Sequence, residues 1–180
     1  LLSQSSDDEN GKQGLAEAQA RAQGSRTGST EESEHEDAEV APFVLMSVSG
    51  RWYAAGALDV QKVVFKGSVT RIPGHSSHIL GLALVHDALI PVVDLAALAN
   101  SASTPNERVL TQPRLVVLGS DEDNVAVVVE EAYGIEQLPK KMEGKASGVI
   151  AGETFWKGET VSFLNVEELV LAAHDESGRS

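Results

Sequence analysis

The chain has 180 residues, a formal net charge of −13 and no cysteine, which sets aside disulfide frameworks, thiolate nucleophiles and zinc sites built on sulfur. The acidity is uneven: residues 1–40 hold ten acidic side chains against Lys12, Arg21 and Arg26, so they carry −7, and the rest is also acidic. Such a balance argues against duplex nucleic acid, which needs a basic face, and apolar runs such as Val125–Val129 fall far short of the roughly 18 to 20 residues of a membrane helix.

From Leu1 to Glu39 the sequence is rich in Ser, Gln, Gly, Glu and Ala, a composition that buries too little apolar surface to offset the entropy of ordering. Residues 1–40 are therefore expected to form a disordered acidic tail, and 177–180 a disordered C-terminus, around a domain at 41–176. The lack of cysteine fits a cytoplasmic location.

At Phe43 the pattern changes to short β-branched and aliphatic runs, broken by Gly, Asp, Asn and Pro about every ten residues, which is an all-β signature. The expected strands are Phe43–Val48, Trp52–Ala55, Val60–Phe65, Leu80–Val85, Leu89–Val93, Leu115–Gly119, Val125–Val129, Gly134–Leu138, Gly152–Phe155 and Thr160–Leu164. A self-similarity links them. Gly81–Leu98 lies without a gap over Gly152–Leu169, an offset of 71, and Phe43–Val48 matches Leu115–Gly119 upstream. A repeat of this kind reports two units, and the expectation is two small β-barrels in tandem.

The repeat also assigns residues that look chemical. His86-Asp87 falls over Lys157-Gly158, where the Gly marks a hairpin turn, so Asp87 reads as a turn residue. Asp94 falls over Asn165, and both precede short helical stretches (Leu95–Ala99 and Val166–Leu171), so both read as helix caps, Asn165 with Glu168 at capping-box spacing. His75, His78 and His86, with Asp87, could in principle ligate zinc or nickel, but no second pair reinforces them. No Gly-x-Ser-x-Gly elbow, Walker loop, His-Glu-x-x-His or dinucleotide fingerprint occurs. No catalytic residue, cofactor or metal site is assigned, and the chain reads as a binding protein; an enzyme or metal protein built on the three histidines is the remaining alternative.

Arg71-Ile72-Pro73, then Ile79-Leu80-Gly81, then Ile90-Pro91-Val92-Val93-Asp94-Leu95 resemble the CheW family, adaptors that couple chemoreceptors to a histidine kinase in bacterial chemosensory arrays. The likeness runs without a gap from Phe43 to Leu95, including Tyr53 and Val60, and more loosely through Val125–Glu130 and Phe163-Leu164-Asn165-Val166. It implies two tandem SH3-like five-stranded β-barrels with short helices. It further implies a kinase-binding face at Ala57, Leu58, Val60 and Val63, for the regulatory domain of a CheA-like kinase. A receptor-binding groove at Lys62, Gly81, Leu84 and His86 would meet a receptor hairpin tip or another array component. The chain departs from the family pattern where Leu84, His86 and Asp87 stand at usual Asn, Arg and Gly positions, and where Lys62 stands near a usual acid. The resemblance is thus to a divergent member, either a receptor-kinase coupler or a localisation or assembly adaptor for pilus motility or polar positioning, without membrane insertion.

Overall fold

The computed structural model describes residues 39–99 and 112–175; the expected tail and the C-terminal residues 177–180 lie outside them, apart from Glu39 and Val40. The described chain builds eleven strands and two helices in the order β1 (Val40–Val48), β2 (Arg51–Gly56), β3 (Val60–Phe65), β4 (Val69–Thr70), β5 (Ile79–Val85), β6 (Ala88–Val93), α1 (Leu95–Leu98), β7 (Arg114–Gly119), β8 (Asn124–Val129), β9 (Glu131–Pro139), β10 (Ile150–Trp156), β11 (Glu159–Leu164) and α2 (Val166–His174). The all-β reading and the expected strands hold. The two-residue β4, which has no periodicity to read, was not anticipated.

The strands form a five-stranded sheet, β10-β11-β2-β1-β9, and a six-stranded sheet, β3-β7-β8-β6-β5-β4. This corrects the expectation of two tandem five-stranded SH3-like barrels. Neither sheet is closed, and neither belongs to one half of the chain. The β1–β2 hairpin of the first half is flanked by β9 and β11 of the second, through a parallel pairing of Val161–Phe163 with Trp52–Ala54. Reciprocally, β7–β8 is flanked by β3 and β6, with Val92 and Val93 parallel to Ala126 and Val127. The repeat is therefore real, but its two units exchange strands.

Alternation explains why the exchange is stable. Successive strand residues point to opposite faces, and the central strands are apolar on both. Met46 and Val48 of β1, Val116 and Leu118 of β7, and Val125, Val127 and Val129 of β8 enter a core shared by both sheets, with Tyr53, Val93, Leu164 and Leu169. Their neighbours face the other way: Leu115, Val117 and Ala126 join Ala83, Val85, Ile90 and Val92 behind the six-stranded sheet. Leu45 joins Ala54, Leu138, Val161 and Phe163 behind the five-stranded one. Each Val, Leu, Ile, Met or Phe side chain among them, fully buried, contributes about 1.5–3 kcal/mol, so separating the halves would uncover the shared core.

The five-stranded sheet curls, yet its outer strands meet through rings and not through a backbone ladder. Tyr133 of β9 and Trp156 of β10 lie with ring centroids 5.0 Å apart, and Trp52 of β2 lies 5.5 Å from Trp156.

Repeat symmetry extends to fine detail. Asp94 Oδ1 accepts from the Ala97 N–H at 3.1 Å and Asn165 Oδ1 from the Glu168 N–H at 3.3 Å, so both caps are as the sequence implies. The β5–β6 and β10–β11 ladders each shift register, between Ile79 and Gly81 and between Ile150 and Gly152.

Candidate docking surfaces

Among the expected kinase-face residues, the turn joining β2 to β3 presents Leu58, which is 97% exposed. The turn is held from below: the Ala57 N–H donates to Pro42 O at 3.0 Å, Asp59 N–H to Gly56 O at 2.9 Å, and Gly119 N–H to Asp59 O at 2.9 Å. A pinned backbone under a protruding leucine loses little freedom on docking. Val63, on edge strand β3, is also exposed. Ala57 is half-buried, and Val60 packs against the core between the sheets. Sequence reading missed Phe65, exposed two residues beyond Val63 with the Arg114 guanidinium carbon 5.3 Å from its ring centroid; the period of two along β3 was the available signal.

The expected receptor-face residues divide. Leu84 is exposed and is paired across the hairpin with Leu89, equally exposed. The next rung on that face is Leu82 opposite Pro91. Leu89 was missed because it lies on the returning strand, and a cross-strand partner is visible only once the register is known. Leu89, Pro91 and Val93 share a face by alternation, and Val93 belongs to the core between the sheets. The exposed leucines therefore continue that core into solvent. His86 sits at the hairpin tip, exposed, in the left-handed region with φ 56°, and Asp87 follows it in the turn.

Gly81 is buried and offers no side chain to a partner. Its φ is +143°, and a Cβ there would lie 2.2 Å from the Thr70 carbonyl oxygen, so it is a glycine because β4 crosses it closely. Lys62 is exposed on β3, and the sheet order places β7, β8 and β6 between it and β5.

The three histidines do not converge. His78 Nε2 donates to the Ala172 carbonyl oxygen of α2 at 3.1 Å, His75 is exposed in the preceding loop, and His86 lies at the far end of β5, roughly 20 Å along an extended strand. No group of three or more His, Cys, Asp or Glu side chains placed to hold a metal ion occurs among the described residues. A shallow cleft of about 570 Å³ lies between α1 and α2, lined by Leu98, Val149, Leu171 and Ala172 with Glu168 and His174; it holds no pairing of nucleophile and base. No helix among the described residues is long and apolar enough to cross a membrane.

Two strand-exchanged sheets carry apolar side chains on exposed turns and edges, an arrangement suited to binding. Residues 42–174 match the CheW-like domain model, and the chain belongs to that family, whose members are non-catalytic scaffolds of bacterial signalling. It is 25% identical over 92 residues to Protein PilI of Pseudomonas aeruginosa, covering 51% of this chain and 50% of that protein. The chain thus spans about half the length of this relative. The crystal structure of the scaffolding protein TtCheW from Thermoanaerobacter tengcongensis superposes with a TM-score of 0.60 at 16% identity, over 71% of this chain and 90% of that one. That likeness is one of fold.

Proposed function

We propose that this chain is a cytoplasmic coupling adaptor of a bacterial chemosensory system, in which the β2–β3 edge docks a CheA-like kinase regulatory domain and the β5–β6 hairpin docks a receptor hairpin tip. The observation that carries it is the presence of two exposed apolar surfaces, Leu58 in the β2–β3 turn with Val63 on β3, and Leu84 with Leu89 on the β5–β6 hairpin, with β7 and β8 standing between β3 and that hairpin in the sheet. Such an arrangement supports two partners at once, and coupling follows as a shift in the populations of the assembled array. Nothing is transferred or cleaved; the protein fixes a geometry.

The test is a calorimetric titration of the full chain against the isolated regulatory domain of its kinase, with Leu58→Glu as the control. Leu58 is a better control than Val60, because a charge at Val60 would enter the core. Saturable binding lost in Leu58→Glu supports the reading. Binding by the folded protein that is unchanged in the variant, or absent altogether, overturns it.

A second reading, a localisation or assembly adaptor without receptor coupling, is favoured by one observation. Leu84 is apolar where the family resemblance places Asn, and it pairs with an exposed leucine, Leu89, so the partner this rung fits is an apolar surface and not a charged one. A pull-down with Leu84→Glu that loses an array component other than a receptor would select this alternative.

A further inference from the structure

We propose that the corner formed by Trp52, Tyr133 and Trp156 is a binding site for a cationic side chain, alkylammonium or guanidinium, of a partner protein, and that Lys157 occupies it in the free chain. The rings meet edge to face: Trp52 and Tyr133 are 6.2 Å apart at 89°, Trp52 and Trp156 5.5 Å at 64°, and Tyr133 and Trp156 5.0 Å at 72°. Trp52 and Trp156 are partly buried against the core behind the sheet, and Tyr133 is exposed. Lys157 Nζ lies 4.4 Å from the Trp156 centroid and 5.2 Å from that of Tyr133, and donates to the Tyr133 hydroxyl at 3.2 Å. Ring faces carry partial negative charge and attract cations of either chemistry.

Several features make the resident ammonium exchangeable. Tyr133 is 46% exposed, so the corner opens to solvent. Lys157 stands in the turn between β10 and β11, with a left-handed φ of 49°, and its ammonium can swing into water without breaking a strand ladder. Glu159, exposed and registered directly across from Trp156, and Glu131, exposed two residues before Tyr133, add negative charge on the flanking strands.

The corner is not a requirement of the repeat. At the equivalent places of the first unit, 71 residues earlier, stand Lys62, Val85 and His86 in place of Tyr133, Trp156 and Lys157, and among the described residues the six-stranded sheet forms without any ring cluster there. A feature confined to one unit, surface-open and already holding a cation, fits recognition better than closure alone.

Trp52 and Trp156 are the two tryptophans of the chain, so intrinsic fluorescence and the two indole N–H resonances report on this corner directly. The full chain would be titrated with choline and with N-acetylarginine amide, against 3,3-dimethylbutanol as the uncharged isostere of choline. The expected result is a saturable change with both cations and none with the alcohol, about fivefold tighter in Lys157→Gln, where the internal competitor is gone, and about fivefold weaker in Tyr133→Leu. Should Lys157→Gln or Tyr133→Leu fail to fold, the indole shifts of the unaltered chain still decide between cation and isostere. Equal responses to choline and its isostere, no response to either cation, or a folded Lys157→Gln no tighter than the parent would overturn the proposal and leave the corner as a clasp of the sheet.

Discussion

The β5–β6 and β10–β11 hairpins stand 71 residues apart at equivalent places in the repeat, and their backbones agree closely. Each has a register shift at its first rungs, a non-glycine residue in the left-handed region at its tip, and a capped helix after it. Their side chains have diverged. The first shows the solvent a leucine rung and a histidine, the second Phe155, Thr160 and a lysine seated on aromatic rings. The two hairpins thus share a frame and differ in the surface they present. Equivalent pairs of residues therefore separate what the fold requires from what docking requires.

The largest contrast is expected at the pair Val92 and Phe163, which fill the clusters behind the two sheets. Phe163 also packs on Phe43 with ring centroids 4.7 Å apart. Phe163→Ala should cost about 4 kcal/mol and Val92→Ala about 2, read as a fall in the urea midpoint at unchanged slope. Equal losses would mean that cavity size does not set the difference between the two clusters.

The glycine pair comes next. A Cβ at Gly81 meets backbone 2.2 Å away at a φ of +143°, whereas at Gly152 it meets Met142 Cβ at 2.5 Å without a positive φ. Gly81→Ala should destabilise by about 3 kcal/mol and Gly152→Ala by about 1–2, since at Gly81 alone a positive φ adds strain to overlap with the backbone. Thermal melts of both variants check the order. The caps follow: Asn165→Ala should cost about 1 kcal/mol and Asp94→Ala roughly half of that, because Asn165 starts a nine-residue helix and Asp94 a single turn. A larger loss at Asp94 would place more of the fold on α1 than its length implies.

How much of this was legible depended on whether the signal is local. Strand identity along β5, β6, β10 and β11, both caps and the duplication are carried by period, turn chemistry and offset, all of which lie in neighbouring residues. The exchange of strands is not. Val92 beside Ala126 and Val161 beside Trp52 are pairings across the chain, and a repeat counts units without saying whose edge each strand meets. The candidate docking residues show the same limit: Leu58 and Leu84 came from the family resemblance, while Leu89, the Trp52–Tyr133–Trp156 corner, the packing of Val60 against the core and the burial of Gly81 required the register and the sheet order. The carry-over from family pattern also grouped Lys62 with Leu84 and His86, which the sheet keeps on different strands.

The smallest effect on stability is expected where the effect on binding is greatest. Leu84 and Phe155 are equivalent, and both are largely exposed, so Leu84→Glu and Phe155→Glu should each shift stability by no more than about 0.5 kcal/mol. If the β5–β6 hairpin alone serves the array partner, Leu84→Glu should weaken its capture by at least about tenfold, the scale at which a desolvated apolar contact is lost, with Phe155→Glu unchanged. Co-sedimentation of the two variants with reconstituted arrays measures this. Equal losses in both would mean that the two hairpins still act as a matched pair, with the duplication retained as two copies of one contact. An effect of Phe155→Glu alone would move the array-facing surface to the second hairpin, beside the aromatic corner, and leave the leucine rung for a different partner.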